Sequence, residues 1–181
     1  VRGMVHEKRG DLEEAIADYT KAIRLDPNGA TDAYLSRAAV HEKKGDFVRA
    51  IADCGEAIRL APQAPRTYGV RAFVHMRRGD LDKAIADYTE AIRLAPQEGF
   101  AYQRRGVAFQ KKGNLDKAIT DYTEAIRLAP QEGLFYYDRG RAFQEKGKDA
   151  EAEEDFTQAR KLGYEPEREP GEGAPAKTGK E

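Results

Sequence analysis

The sequence repeats itself with a period of 34 residues. Residues 81–99 read LDKAIADYTEAIRLAPQEG and residues 115–133 read LDKAITDYTEAIRLAPQEG, differing only at Ala86 and Thr120. Pro62, Pro96 and Pro130 close three copies at that spacing. Pro27 closes another at a spacing of 35, because one extra residue sits near Ala30. A period of this length marks a stacked array in which each unit buries its face only against its neighbours. Function is constrained with the fold, since such arrays present a surface and rarely carry chemistry.

One unit, residues 99–132, shows how the pattern folds. Tyr102, Gly106 and Phe109 fall on one helical stripe at spacings of four and three. Gly113 suits the left-handed residue past a helix end, and Lys111 and Lys112 suit the negative end of the helix dipole. Asn114 is then an N-cap for a second helix. In that helix Ala118, Tyr122 and Ala125 repeat the four-then-three spacing, and Pro130 marks its exit. The unit reads as two antiparallel helices that approach closely through small residues. Those are Gly3, Ala38, Ala72, Gly106 and Gly140 on the first helices, with Ala15, Ala50, Ala84, Ala118 and Ala152 on the second. Tyr34, Tyr68, Tyr102 and Tyr136, with Tyr19, Tyr88, Tyr122 and Phe156, surround them.

In period, small residues, aromatics, turn glycine and closing proline, residues 1–162 resemble the tetratricopeptide repeat (TPR) family. The Arg-Gly and Ala-Ile-Ala-Asp-Tyr runs resemble its bacterial members. Tyr stands for the family's usual Trp, and Arg2, Arg37, Arg71, Arg105 and Arg139 stand where it usually has Leu. The resemblance implies an all-α solenoid of antiparallel helix pairs in a right-handed superhelix, with first helices lining a concave groove. The repeats are expected at 1–29 (truncated), 31–64, 65–98, 99–132 and 133–162, followed by a Pro/Gly/Glu/Lys tail or linker at 163–181 too poor in apolar residues to order itself.

Composition excludes other classes. Charge is high at 35% but balanced at net −1, so no overall basic field invites nucleic acid. No apolar run approaches the roughly 18–20 residues needed to cross a bilayer, and VRGMVHEKRG is no signal peptide. Val1 aligns with Ser36, so the sequence is expected to be a fragment lacking the first five residues of its first unit.

No residue set points to catalysis, a cofactor or a metal. His6, His41 and His75 occupy a place that holds Phe109 and Phe143 in later repeats, which makes it a packing position. Cys54 replaces a core tyrosine and is expected to be buried and inert. Each first-helix Arg is matched by an Asp, namely Asp18, Asp53, Asp87, Asp121 and Asp155. A long cation inside a helix seam wants a carboxylate, so these are read as Arg–Asp bridges within each repeat. Gly55 should weaken its helix by about 1 kcal/mol, making repeat two the loosest internal unit.

The family's ligand surface is the inner face of the first helices. Carried onto this chain, it gives Arg66, Val70, Phe73, Met76 and Arg77 in repeat three, Phe100, Gln103, Arg104, Val107 and Lys111 in repeat four, and Tyr137 and Arg141 in repeat five. Phe73, Met76, Phe100, Val107 and Tyr137 lie outside the repeating core pattern and would make an apolar, Arg-flanked groove. The family's carboxylate clamp is missing: Leu35, Gly69 and Gln103 stand where its first Lys could fall, and Ala39, Phe73 and Val107 where its first Asn could. The expected function is a non-enzymatic protein-interaction scaffold that binds a peptide or partner helix in the groove of repeats three to five. The alternatives are an accessory region of a larger enzyme or envelope-associated protein, or a homo-oligomer formed through the truncated N-terminal end. Glu153 and Arg160 replace the isoleucine pairs of earlier second helices and suit a finished, water-facing end.

Overall fold

The computed structural model describes residues 2–166, and residues 167–181 of the expected tail lie outside the described ones. Among the described residues there are ten helices and no strand. They are α1 (Arg2–Arg9), α2 (Leu12–Leu25), α3 (Thr31–Lys43), α4 (Phe47–Leu60), α5 (Pro65–Arg78), α6 (Leu81–Leu94), α7 (Gly99–Lys111), α8 (Leu115–Leu128), α9 (Gly133–Glu145) and α10 (Asp149–Lys161). Each helix packs on the one before and the one after it in the chain. Across repeats, α3 also touches α5 and α7 touches α9, while contact between α5 and α7 thins. Second helices of successive repeats make no contact of that extent among the described residues, so the array leans toward its first helices. The fold is the all-α TPR solenoid.

The turns follow from the sequence. Gly79 ends α5 at φ 91°, a left-handed conformation that a side chain resists. The same turn recurs at Gly10, Gly45, Gly113 and Gly147. Asn114 caps α8 by accepting from the Lys117 amide, and Asp46 caps α4 by accepting from the Arg49 amide. Pro65 opens α5, where its missing N–H is harmless.

The seam between paired helices is as tight as the small residues promised. A Cβ on Gly106 would stand 2.7 Å from the Tyr122 ring, and one on Gly140 would stand 2.8 Å from Phe156. Ala50, Ala84 and Ala118 are wholly buried. Ala22 is exposed where Ala57, Ala91, Ala125 and Ala159 are buried. Gly99, opening α7, lies on Ala125, and Gly133, opening α9, lies on Ala159. The first repeat begins beyond that opening turn.

The arginines knit the stack. Arg37, Arg71, Arg105 and Arg139 each grip the expected aspartate through two hydrogen bonds of 2.7–2.8 Å. The Arg2 side chain lies outside the described ones. Three of these guanidiniums also donate to a threonine of the preceding repeat: Arg37 to Thr20, Arg105 to Thr89 and Arg139 to Thr123. Arg71 lacks that third bond because Gly55 occupies the position. The bond to its aspartate holds each of Arg37, Arg71 and Arg105 more firmly protonated than a solvated guanidinium.

Candidate partner-binding groove

The inner surface carries two pockets. The larger, of about 590 Å³, lies between α5 and α7. Its walls are Val70 and Phe73 from α5 and Phe100 and Arg104 from α7, with Arg66 and Pro65 at one end. Tyr88 and Ala91 of α6, with Ala39, Gly69, Ala95, Glu98 and Ala101, complete it. Phe100 is 47% exposed and, among the described residues, is the one strongly exposed large apolar side chain that lines this pocket. It packs edge-on against the buried Phe135 ring at 4.9 Å between centroids. Arg104 lies over the Phe73 ring at 5.7 Å. Arg66 is paired at 2.7 Å with Asp32 of the preceding repeat, both side chains well exposed. Such a pair contributes at most about 1 kcal/mol.

The smaller pocket, about 360 Å³, lies between α7 and α9 and is lined by Val107, Gln110, Lys111, Tyr137, Asp138, Arg141 and Glu145. Three hydrogen bonds tie its carboxylates and amides together. Gln103 donates to Asp138 at 2.6 Å, Gln110 donates to Glu145 at 2.6 Å, and the Tyr122 hydroxyl donates to Gln110 at 2.7 Å. Burial pushes the Asp138 carboxyl up to about 6, against the opposing pull of the Gln103 bond and the Arg141 charge.

The structure brings nine of the twelve expected contact residues to these pockets. It takes three away. Gln103 is buried, 8% exposed, and its amide is committed to Asp138 rather than offered to the groove. Met76 packs on Ala72, Ala84 and Tyr88. Arg77 reaches back 3.3 Å to the buried Glu42. Tyr137, though at the pocket edge, also packs against Phe156 and Tyr164, with centroids 5.6 and 5.2 Å away.

Two polar residues of the larger pocket were not expected to line the groove. Tyr88 reads as core because its column is core, yet its hydroxyl is buried with no hydrogen-bond partner. Burial pushes its ionisation upward, and the Arg104 guanidinium opposes this by its charge and by its hydrogen-bonding approach to the hydroxyl oxygen. Glu98 reads as a turn residue and stands at the N-cap position of α7, where its side chain makes no capping bond. The signal for Tyr88 was present one helix away. Repeat four places Gln110 twelve residues before Tyr122, and repeat three places Met76 there.

The other candidates keep structural roles. Cys54 is wholly buried and its thiol is pushed up to about 12 by burial. His6 lies 3.5 Å from Asp11 and 3.9 Å from Asp18, and His75 lies 3.5 Å from Asp80 and 4.0 Å from Asp87. The histidine column is thus more than the packing position it was expected to be, since carboxylates flank its imidazoles. Burial lowers the pKa of His41 and His75. Among the described residues no three candidate metal ligands come together, and no helix is long and apolar enough to cross a membrane.

Comparison with known families matches residues 5–45 to a TPR repeat, and residues 65–98 and 100–132 each to a tetratricopeptide repeat. The chain belongs to the tetratricopeptide repeat family. As a TPR protein it is similar in structure to MamA, with a TM-score of 0.78, 25% identity, and coverage of 90% of this chain and 95% of that one. It is also similar to YrrB, described as a TPR protein with an unusual peptide-binding site, at TM-score 0.69, 21% identity, and 88% and 82% coverage. PilF of Pseudomonas aeruginosa aligns at TM-score 0.78 and 16% identity over 90% and 74% of the two chains. Comparison with curated proteins finds no match. The family and these neighbours support a protein-interaction scaffold.

Proposed function

We propose that this TPR protein is a non-enzymatic scaffold that docks a peptide or partner helix along the inner face of repeats three to five. One observation carries the reading. The α5–α7 pocket sets an exposed Phe100 beside Phe73 and Val70 in a concave, largely apolar wall. An apolar recess with few polar groups is what an anchoring side chain needs. The peptide-binding site named for YrrB supports the same class of ligand. The test begins with a displayed peptide library panned on the chain. Binding of enriched peptides is then measured by calorimetry on the native protein and on Phe73→Ala, Phe100→Ala and Arg104→Ala combined. Anchors of this kind contribute about 2 kcal/mol each or more, so the combined variant should lose at least about thirtyfold in affinity. Unchanged affinity would place the ligand on another face.

A further inference from the structure

The seams on either side of α7 are built from equivalent positions with different contents. On the α9 side Gln103 donates to Asp138 at 2.6 Å. The positions 34 residues earlier are Gly69 and Arg104. Gly69 has no side chain to offer, and open space surrounds the place where its Cβ would be. Arg104 therefore has no carboxylate or amide across from it among the described residues and rests on the Phe73 ring. The second helices tell the same story. The Tyr122 hydroxyl donates to Gln110, while the matching Tyr88 faces Met76, whose thioether is a weak acceptor, and its hydroxyl finds no acceptor beside the Arg104 guanidinium. A cation without a carboxylate and a buried donor without an acceptor thus belong to one apolar pocket.

We infer that this pocket selects partner segments carrying a bulky apolar side chain next to an aspartate or glutamate. The apolar group enters between Val70, Phe73 and Phe100, and the carboxylate forks onto the Arg104 guanidinium with the Tyr88 hydroxyl as a further donor. The inference rests on the groove reading above and adds the chemistry of the ligand. A guanidinium laid on an aromatic ring is already oriented, so it loses little freedom on binding an anion. A neutral ligand would cover Arg104 without replacing its water, which costs affinity. Arg66 is answered by Asp32 and leaves Arg104 as the unanswered cation. The opposing charge, Glu98, lies six positions earlier along α7, about 9 Å of helix rise away. A second pocket lies on the other side of α7, so a segment that reaches both presents the acid as a side chain rather than a chain end.

Short capped peptides sharing a Leu-Phe core test this, with Glu, Gln or Lys as the next residue. A fourth peptide ends at the Phe with a free carboxylate. Fluorescence anisotropy with the full chain should rank the Glu peptide about tenfold tighter than Gln or Lys, with the gap narrowing at high salt. Arg104→Gln should bring the Glu peptide down to the level of Gln. Tyr88→Phe, which keeps the ring, should weaken the Glu peptide several-fold and leave Gln unchanged. Equal binding of Glu and Gln peptides, still lost in Phe73→Ala with Phe100→Ala, would overturn the acidic preference and leave the groove reading intact. A preference for Lys would give the electrostatic role to Glu98 and overturn it too. Tighter binding of the free-carboxylate peptide would move the anion to a chain end, against the inference. Binding by none of the peptides, or binding indifferent to Phe73 and Phe100, would remove the pocket as a site.

Discussion

Repeats three and four have second helices that differ at one residue, Ala86 against Thr120, yet their inner faces have opposite character. Repeat four is closed by polar bonds: Gln103 with Asp138, Tyr122 with Gln110, Gln110 with Glu145. Repeat three replaces Gln103 by Gly69 and Gln110 by Met76, and it is open and apolar. Ala72 in place of Gly106 adds a third difference. A Cβ at Gly106 would press on the Tyr122 ring at 2.7 Å, so in repeat three the ring or its helix has to give way. Three first-helix positions thus turn a smaller, polar-bonded recess into a larger apolar one while the second helices hold the scaffold constant. The lesson is a division of labour: second helices carry the stack, and first helices carry what distinguishes one repeat from another.

The largest effect should fall on what the two repeats share. Asp87→Ala and Asp121→Ala each strand a largely buried guanidinium and should cost about 3 kcal/mol in chemical denaturation. An unchanged unfolding curve for either would take the bridges out of the stability account. Gly106→Ala imposes the repeat-three residue on repeat four. Overpacking against Tyr122 should cost about 2 kcal/mol and disturb the bond to Gln110. A neutral result would mean that this position does not set the ring.

Asp138 separates the seams by pH. Its folded pKa of about 6 lies above the ordinary carboxylate value of 3.8, so the folded state holds the proton more tightly. Stability from this group is fully present below the unfolded pKa and is lost as pH rises through about 6. Asp138→Asn should therefore gain about 3 kcal/mol at pH 7.5 relative to the native chain, and nothing at pH 3.5. A gain independent of pH would point to packing instead. Gly69→Ala, inside α5 with open space for the methyl, should stabilise by about 1 kcal/mol and narrow the pocket. Loss of stability would show that the open space is not there. The smallest contrast is the most specific. Tyr122→Phe should cost about 1 kcal/mol and Tyr88→Phe close to none, since only the first hydroxyl is bonded. Equal costs would erase the distinction between the two tyrosines.

The fold was readable because each repeat states it again. Gly79 and Gly113 in their turns, Asn114 at its cap and Arg105 facing Asp121 all follow from column-by-column agreement. The site was less readable for the same reason, since it is made of departures from the columns. Phe73, Phe100 and Arg104 showed as apolar or charged residues where the pattern did not demand them. Gln103 misled, because an exposed-looking column cannot reveal that the next repeat offers Asp138 within bonding distance. Tyr88 was hidden by belonging to a core column, and only the absent partner at Met76 marks it. The threonines that receive the arginines are a third case. Thr89 and Thr123 look like surface residues until the next repeat is stacked on them. Contacts between repeats lie about 16 or 35 residues apart, beyond what helical periodicity within one unit reports.

The account stands or falls on where a partner touches the chain. Amide and side-chain NMR shifts on adding a peptide enriched by panning read this directly. The account predicts that the perturbed resonances cluster on α5 and α7, with Val70, Phe73, Phe100 and Arg104 the most affected and the Tyr88 ring shifted with them. Perturbation centred on the outward-facing side of α6 and α8, with the α5–α7 pocket silent, would contradict it.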